Sequence, residues 1–311
     1  MSLAIFACFL ACSTHGDVIQ FSIDPTATDP EITAMKSEHS IFIDPKVKPT
    51  RGLLVFLPGT GGGTTNTKGF CSTAAEDGYQ VINLMYSNAI AAATVQNSPD
   101  ENAFANFRWE IIEGRDLTPN IDVNRADSIE NRLTKALRYL AKTRSEEGWG
   151  EYLSDGELDW SKVTLSGGSQ GAGHAALIAT KYKVCRVIAF AGPKDYRMSA
   201  RKPAAWYTPC VTPSDRIYAF NHQQDRQGCD YAEHLEVLKT MGLDRFGGPV
   251  DVDLEKPPFK NSRILVTNYP GTELSSLRAH TSVIGDGATP KTADGDFYFK
   301  PVWHYMLTNP D

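Results

Sequence analysis

Ser169 lies in Val163-Thr164-Leu165-Ser166-Gly167-Gly168-Ser169-Gln170-Gly171, an apolar β-leaning run that ends in Gly-x-Ser-x-Gly. A stretch with Ala172, Ala175, Ala176 and Ala179 follows and predicts a helix that packs close to a sheet. Strand, sharp turn and helix are together the sequence form of a nucleophile elbow. Such a turn strains the serine backbone and lifts Oγ above the sheet. Gly167 and Gly171 flank it because a Cβ at either place would collide with the turn. The helix that starts after Ser169 aims free N–H groups at the reacting centre. The chemistry this arrangement would serve is acyl transfer through an activated serine.

A serine hydroxyl is a poor nucleophile near neutral pH. It needs a base to take its proton, and the base needs a carboxylate to orient it. After an elbow of this kind the chain order is serine, acid, histidine. Asp225, in Asn221-His222-Gln223-Gln224-Asp225, follows the expected strand 216–220 and is the candidate acid. Asp230 and Glu233 compete for that role, but they fit the start of a helix, where a carboxylate caps free N–H groups. His280, in Arg278-Ala279-His280-Thr281-Ser282, is the candidate base, on a loop after the last strong strand. His304 is its rival on an expected terminal helix. His174 is expected on the elbow helix, facing away from Oγ, and His222 and His234 break the order.

The tetrahedral oxyanion of acyl transfer needs donors. Gln170, directly after the serine, supplies one N–H. Thr60, in Pro58-Gly59-Thr60-Gly61-Gly62-Gly63, is the candidate for the other. That loop fits neither the Walker pattern nor Gly-x-Gly-x-x-Gly, because Lys68 follows Asn66-Thr67 and Thr64 stands where the third glycine belongs.

The elements that must hold these residues alternate between strand and helix. The run 52–57 is apolar throughout, as a strand buried on both faces requires. Strands are expected at 18–23 and 40–43, as a hairpin at one edge, and at 80–86, 163–168, 184–190, 216–220 and 263–268. Helices are expected near 67–77, at 231–241 and at 302–307. Asp127-Ser128-Ile129-Glu130 reads as a helix cap. Ile129, Leu133, Ala136, Leu137, Leu140 and Ala141 then mark one helical face, which reads as core. The order predicts an α/β fold with a mostly parallel sheet covered on both faces. Segments 88–125 and 194–214 show no clean periodicity and read as insertions, the first as a lid or substrate-facing excursion. Phe104, Phe107, Trp109, Trp206 and Tyr207 are candidates to line an apolar pocket, although core packing suits any one of them.

With 311 residues, 41% hydrophobic and 22% charged, the chain can bury a large core. A formal charge of −6 and the lack of a basic, aromatic-interleaved stripe argue against a nucleic-acid partner. Leu3 to Ala11 is a short apolar run ending in Ala11-Cys12-Ser13. It reads as a signal-like segment over 1–16 ahead of one domain at 17–311, and it predicts export, although a basic start is missing. Cys12 is a candidate lipid-anchor position. Of the other cysteines, Cys210 and Cys229 are the favoured disulfide pair in an exported protein. Cysteine and histidine spacing gives no metal site, and no cofactor is expected.

From residue ~50 onward the chain resembles the α/β-hydrolase superfamily. Gly168-Ser169-Gln170-Gly171 is similar to the elbow of cutinases and related serine esterases, as is an acid followed closely by a cysteine, Asp225 and Cys229. His280-Thr281-Ser282-Val283-Ile284-Gly285-Asp286 and Val302-Trp303-His304-Tyr305-Met306-Leu307 are similar to a bacterial group of such hydrolases. The chain departs from cutinases in its length and in segments 88–125 and 194–214. The resemblance implies a serine hydrolase of carboxylic esters with Ser169, His280 and Asp225 as its triad. Two other readings stand beside it: a peptidase or amidase on the same residues, and a hydrolase fold that binds without catalysis.

Overall fold

The computed structural model describes residues 18–47 and 51–310. The signal-like segment, with Cys8 and Cys12, lies outside the described residues.

The strands of the central sheet are β1 (Ile19–Ile23), β2 (His39–Ile43), β3 (Gly52–Leu57), β4 (Tyr79–Asn83), β5 (Val163–Gly168), β6 (Arg186–Phe190), β7 (Ile217–His222), β8 (Val250–Asp251) and β9 (Ile264–Thr267). These nine strands lie in the order β1-β2-β4-β3-β5-β6-β7-β9-β8. All neighbours pair in parallel except around β2, which runs antiparallel to both β1 and β4. The helices are α1 (Pro25–Thr28), α2 (Lys68–Glu76), α3 (Ala103–Glu113), α4 (Ile129–Thr143), α5 (Gln170–Lys181), α6 (Tyr231–Thr240), α7 (Ser276–Ser282) and α8 (Lys300–Thr308).

The pleat sorts each strand's side chains between two helical layers. Leu53, Val55 and Leu57 of β3 join the core formed with α3, α4, α5 and α6. Leu54 and Phe56 join the opposite core, formed with α2 and α8. β7 divides in the same way, with Ala219 on one side and Phe220 on the other. Both faces are thus covered, as the apolar runs predict.

Local signals set the ends of the helices. The Ser128 side chain accepts from the Asn131 amide at 3.3 Å and caps α4. Asp230 and Glu233 form a reciprocal capping box at the start of α6, the role the sequence gives them. Three sequence expectations change. Segment 88–125 contains α3, whose Phe107, Ile111 and Ile112 are core residues, while Ala92, Gln96 and Phe104 line a cavity that Ser169 also lines; it is in part a packed layer and in part cavity wall, which leaves a periodicity too mixed to read. His280 stands on α7 and not on a loop. Cys210 and Cys229 are free thiols. Cys210 donates to the Ala179 carbonyl near the end of α5, at 3.3 Å, while Cys229 is buried in the segment after Asp225, so different parts of the fold hold them.

The elbow depends on close approach. A Cβ on Gly171 would lie 1.9 Å from the Leu57 carbonyl oxygen, and one on Gly167 would lie 2.4 Å from the Gly171 carbonyl carbon. Backbone atoms fill both places and cannot give way. Gly171→Ala is therefore expected to destabilise the fold by about 3 kcal/mol or more, read by chemical denaturation. An unchanged midpoint would show that α5 can lift from β3 freely.

Candidate active site

Five adjacent parallel strands, β3, β5, β6, β7 and β9, deliver the candidate residues from their carboxyl ends. β4 lies on one side of β3 and β5 on the other, so the strand order reverses there. Crevices at such a switch point are where α/β sheets bind ligands. A cavity of about 390 Å³ opens at this place. Thr60, Ser169, Gln170 and His280 all line it.

Ser169 follows β5 directly, with φ 54° and ψ −114°. This is a left-handed backbone for a residue with a side chain, worth about 1–3 kcal/mol of strain. Its amide donates to the Phe190 carbonyl of β6 at 2.8 Å, which holds the turn. The strained turn read from the sequence is thus present.

Asp225 lies in the loop after β7 and is 1% exposed. His280 Nδ1 is 2.7 Å from Asp225 Oδ2. The Gln227 amide donates to Asp225 Oδ1 at 2.8 Å. Burial opposes ionisation of the carboxyl, but the His280 bond and charge and the Lys194 ammonium outweigh it, so its pKa lies below the ordinary carboxylate value. Lys194 Nζ is 2.7 Å from Asp225 Oδ2. Ser169 and His280 line the same cavity, and among the described residues no hydrogen bond joins the two side chains.

The oxyanion candidates are neighbours too. The Thr60 hydroxyl donates to Gln170 Oε1 at 2.9 Å. The Ala92 amide donates to the same oxygen, also at 2.9 Å. The Thr60 side chain is thereby engaged, which leaves its backbone amide as the donor it can offer, beside the first amide of α5 from Gln170. Asn88 Nδ2 fixes the loop by donating to the carbonyls of Gly59, at 2.9 Å, and Gly62, at 2.8 Å.

The competing histidines His304, His174 and His222 have other surroundings. His304 Nδ1 pairs with Asp77, 2.7 Å from Oδ2. His174 is fully buried, its ring edge-on to Tyr86 at 5.3 Å between centroids; burial first, and the nearby Arg108 charge second, keep it neutral. His222 accepts from the Gln224 amide and contacts the Tyr269 carbonyl. Of the five aromatic pocket candidates, Phe104 lines the cavity. Phe107 is core, Trp109 lies under the Lys181 ammonium, and Trp206 and Tyr207 bond Asp195 at 2.9 Å each.

Sequence reasoning did not find Arg108, Asp195 and Lys194. Arg108 Nε and Nη2 each lie 2.6 Å from an Asp195 oxygen. Arg108 Nη1 donates to the Gln170 carbonyl at 2.9 Å. A Cβ on Gly173 would lie 2.2 Å from that guanidinium, so the glycine makes room for it. A fork-on-fork pair buried under α5 therefore ties 88–125 and 194–214 to the turn that carries Ser169. The sequence signal for Arg108 was a lone cation in an apolar stretch. The signal for Lys194-Asp195 was its place just past the end of β6.

The chain matches no protein-family model and no curated protein. No helix among the described residues is long and apolar enough to cross a membrane.

The Asp225 shift makes stability pH-dependent in a definite sense. Its folded pKa lies below the unfolded value of about 3.9, so its contribution is fully present above that value and fades as pH falls through the lower folded value. Asp225→Asn is expected to flatten this part of the acid-unfolding curve below about pH 4. Identical acid limbs for the variant and the wild type would show that Asp225 carries no such linkage.

Proposed function

We propose that this chain is an α/β-hydrolase-type serine hydrolase of carboxylic esters. The observation that carries the reading is the 2.7 Å contact of buried Asp225 with His280, which lines one cavity together with the strained Ser169. The nine-stranded, mostly parallel sheet and the chain order serine, acid, histidine support it. We also read the protein as exported, on the apolar run from Leu3 to Ala11.

In this reading Ser169 Oγ attacks the acyl carbon while His280 Nε2 takes its proton. Asp225 holds Nδ1–H and stabilises the imidazolium that forms. The backbone amides of Gln170 and Thr60 receive the oxyanion. Donors of this kind are each worth on the order of 100-fold or more in rate. The imidazolium returns its proton to the leaving alcohol, and water, activated by the same ring, releases the acyl group. Phe56, Phe104 and Ile284 supply apolar cavity wall for the acyl chain.

Hydrolysis of p-nitrophenyl esters from two to sixteen carbons tests the proposal. Ser169→Ala and His280→Ala are each expected to lower kcat/KM by roughly 10⁴-fold or more with the fold intact, and His304→Ala to leave most of it. Loss in the His304 variant with retention in the His280 variant would overturn the base assignment. No turnover of any ester by the wild type would overturn the reading.

A further inference from the structure

Lys194 reaches Asp225 from the loop after β6, where a Cβ on Gly192 would lie 3.1 Å from the Ser169 carbonyl oxygen. Asp225 Oδ2 takes Lys194 Nζ at 2.7 Å and His280 Nδ1 at 2.7 Å. Asp225 Oδ1 is occupied by the Gln227 amide. One carboxylate oxygen thus serves an ammonium and an imidazole together. The side chains of Lys194 and Asp225 are 8% and 1% exposed, so solvent screens them little.

We propose that Lys194 is a positioning residue that sets the basicity of His280 by taking part of the Asp225 charge the imidazolium would otherwise receive. The Asp225 carboxylate is thus shared between the Lys194 ammonium and the imidazolium that forms when His280 takes the Ser169 proton. The role rests on the hydrolase reading above; the electrostatic coupling can be measured without it.

Other groups around the pair do not supply this charge. His234 of α6 faces Lys194, Asp225 and His280, but burial first, and Lys194 second, hold it neutral. His222 at the end of β7 is kept neutral chiefly by burial. The Cys229 thiol is pushed up to about 12, chiefly by burial, and stays protonated. Asp230 and Glu233 close on each other's backbone amides at the start of α6. Arg108 is turned to Asp195. Lys194 is the ammonium placed on the acid's own oxygen. A like charge at this range disfavours protonation of a neighbouring ring by about 1 pH unit or more.

The test uses the full chain as Lys194→Met, Lys194→Gln and Lys194→Arg. Two quantities are followed: the acid limb of kcat/KM with p-nitrophenyl butyrate, and the His280 ring titration by NMR in a Ser169→Ala background. The neutral variants are expected to move both to higher pH by about one unit, and Lys194→Arg to stay near the wild type. Lys194→Gln keeps a hydrogen-bond donor for Asp225 and serves if the methionine variant does not fold. Unmoved ring titration in a folded neutral variant overturns the proposal, as does an equal shift in Lys194→Arg. Absent esterase activity with a shifted ring titration would refute the hydrolase reading while leaving the coupling in place.

Discussion

The approach of helix α5 to strand β3 is the constraint on which the site depends. Gly171 sits where any side chain would enter the Leu57 carbonyl. Pairing of β5 with β3 sets their carboxyl ends side by side, and the close approach at Gly171 holds Gln170, the first residue of α5, where its Oε1 takes the Thr60 hydroxyl. Ser169 bears the cost in its backbone, at φ 54°, and the surrounding contacts must exceed that strain.

The buried Arg108–Asp195 pair lies against this turn. Removing one partner of such a pair typically costs about 3–5 kcal/mol, because a buried charge is left without its counterion. Arg108 spends a third donor on the Gln170 carbonyl, so the same guanidinium that satisfies Asp195 holds the first turn of the elbow helix. Trp206 and Tyr207 complete the network from segment 194–214. The two departures from simple strand–helix alternation thus converge at the start of α5, next to Ser169. They build the site's floor, and α3 packs as part of a layer.

Much of this was legible in the sequence because it depends on backbone rules. Unbroken apolar strands, an elbow with obligatory glycines, and caps at Ser128 and Asp230 follow from local sterics and from unpaired N–H groups. The order Ser169, Asp225, His280 could be read because strand ends fix where loop residues go. What escaped depended on long-range partners. Arg108 reads as a misplaced cation until Asp195, 87 positions later, is seen beside it. α3 mixes buried Arg108 and Glu110 with its apolar residues, which blurs the period. The Cys210–Cys229 expectation failed because proximity along the chain said nothing of Ala179, which Cys210 meets instead. Lys194 could not be found from spacing, since its role is defined by the oxygen of Asp225 that it touches.

The central claim is that Ser169 is chemically activated by its surroundings. The most direct test is intact-mass spectrometry after reaction with a fluorophosphonate, followed by peptide mapping. The account predicts one stoichiometric adduct on the peptide containing Ser169, lost on unfolding the protein before reaction. No adduct, or an adduct at another residue, would contradict it.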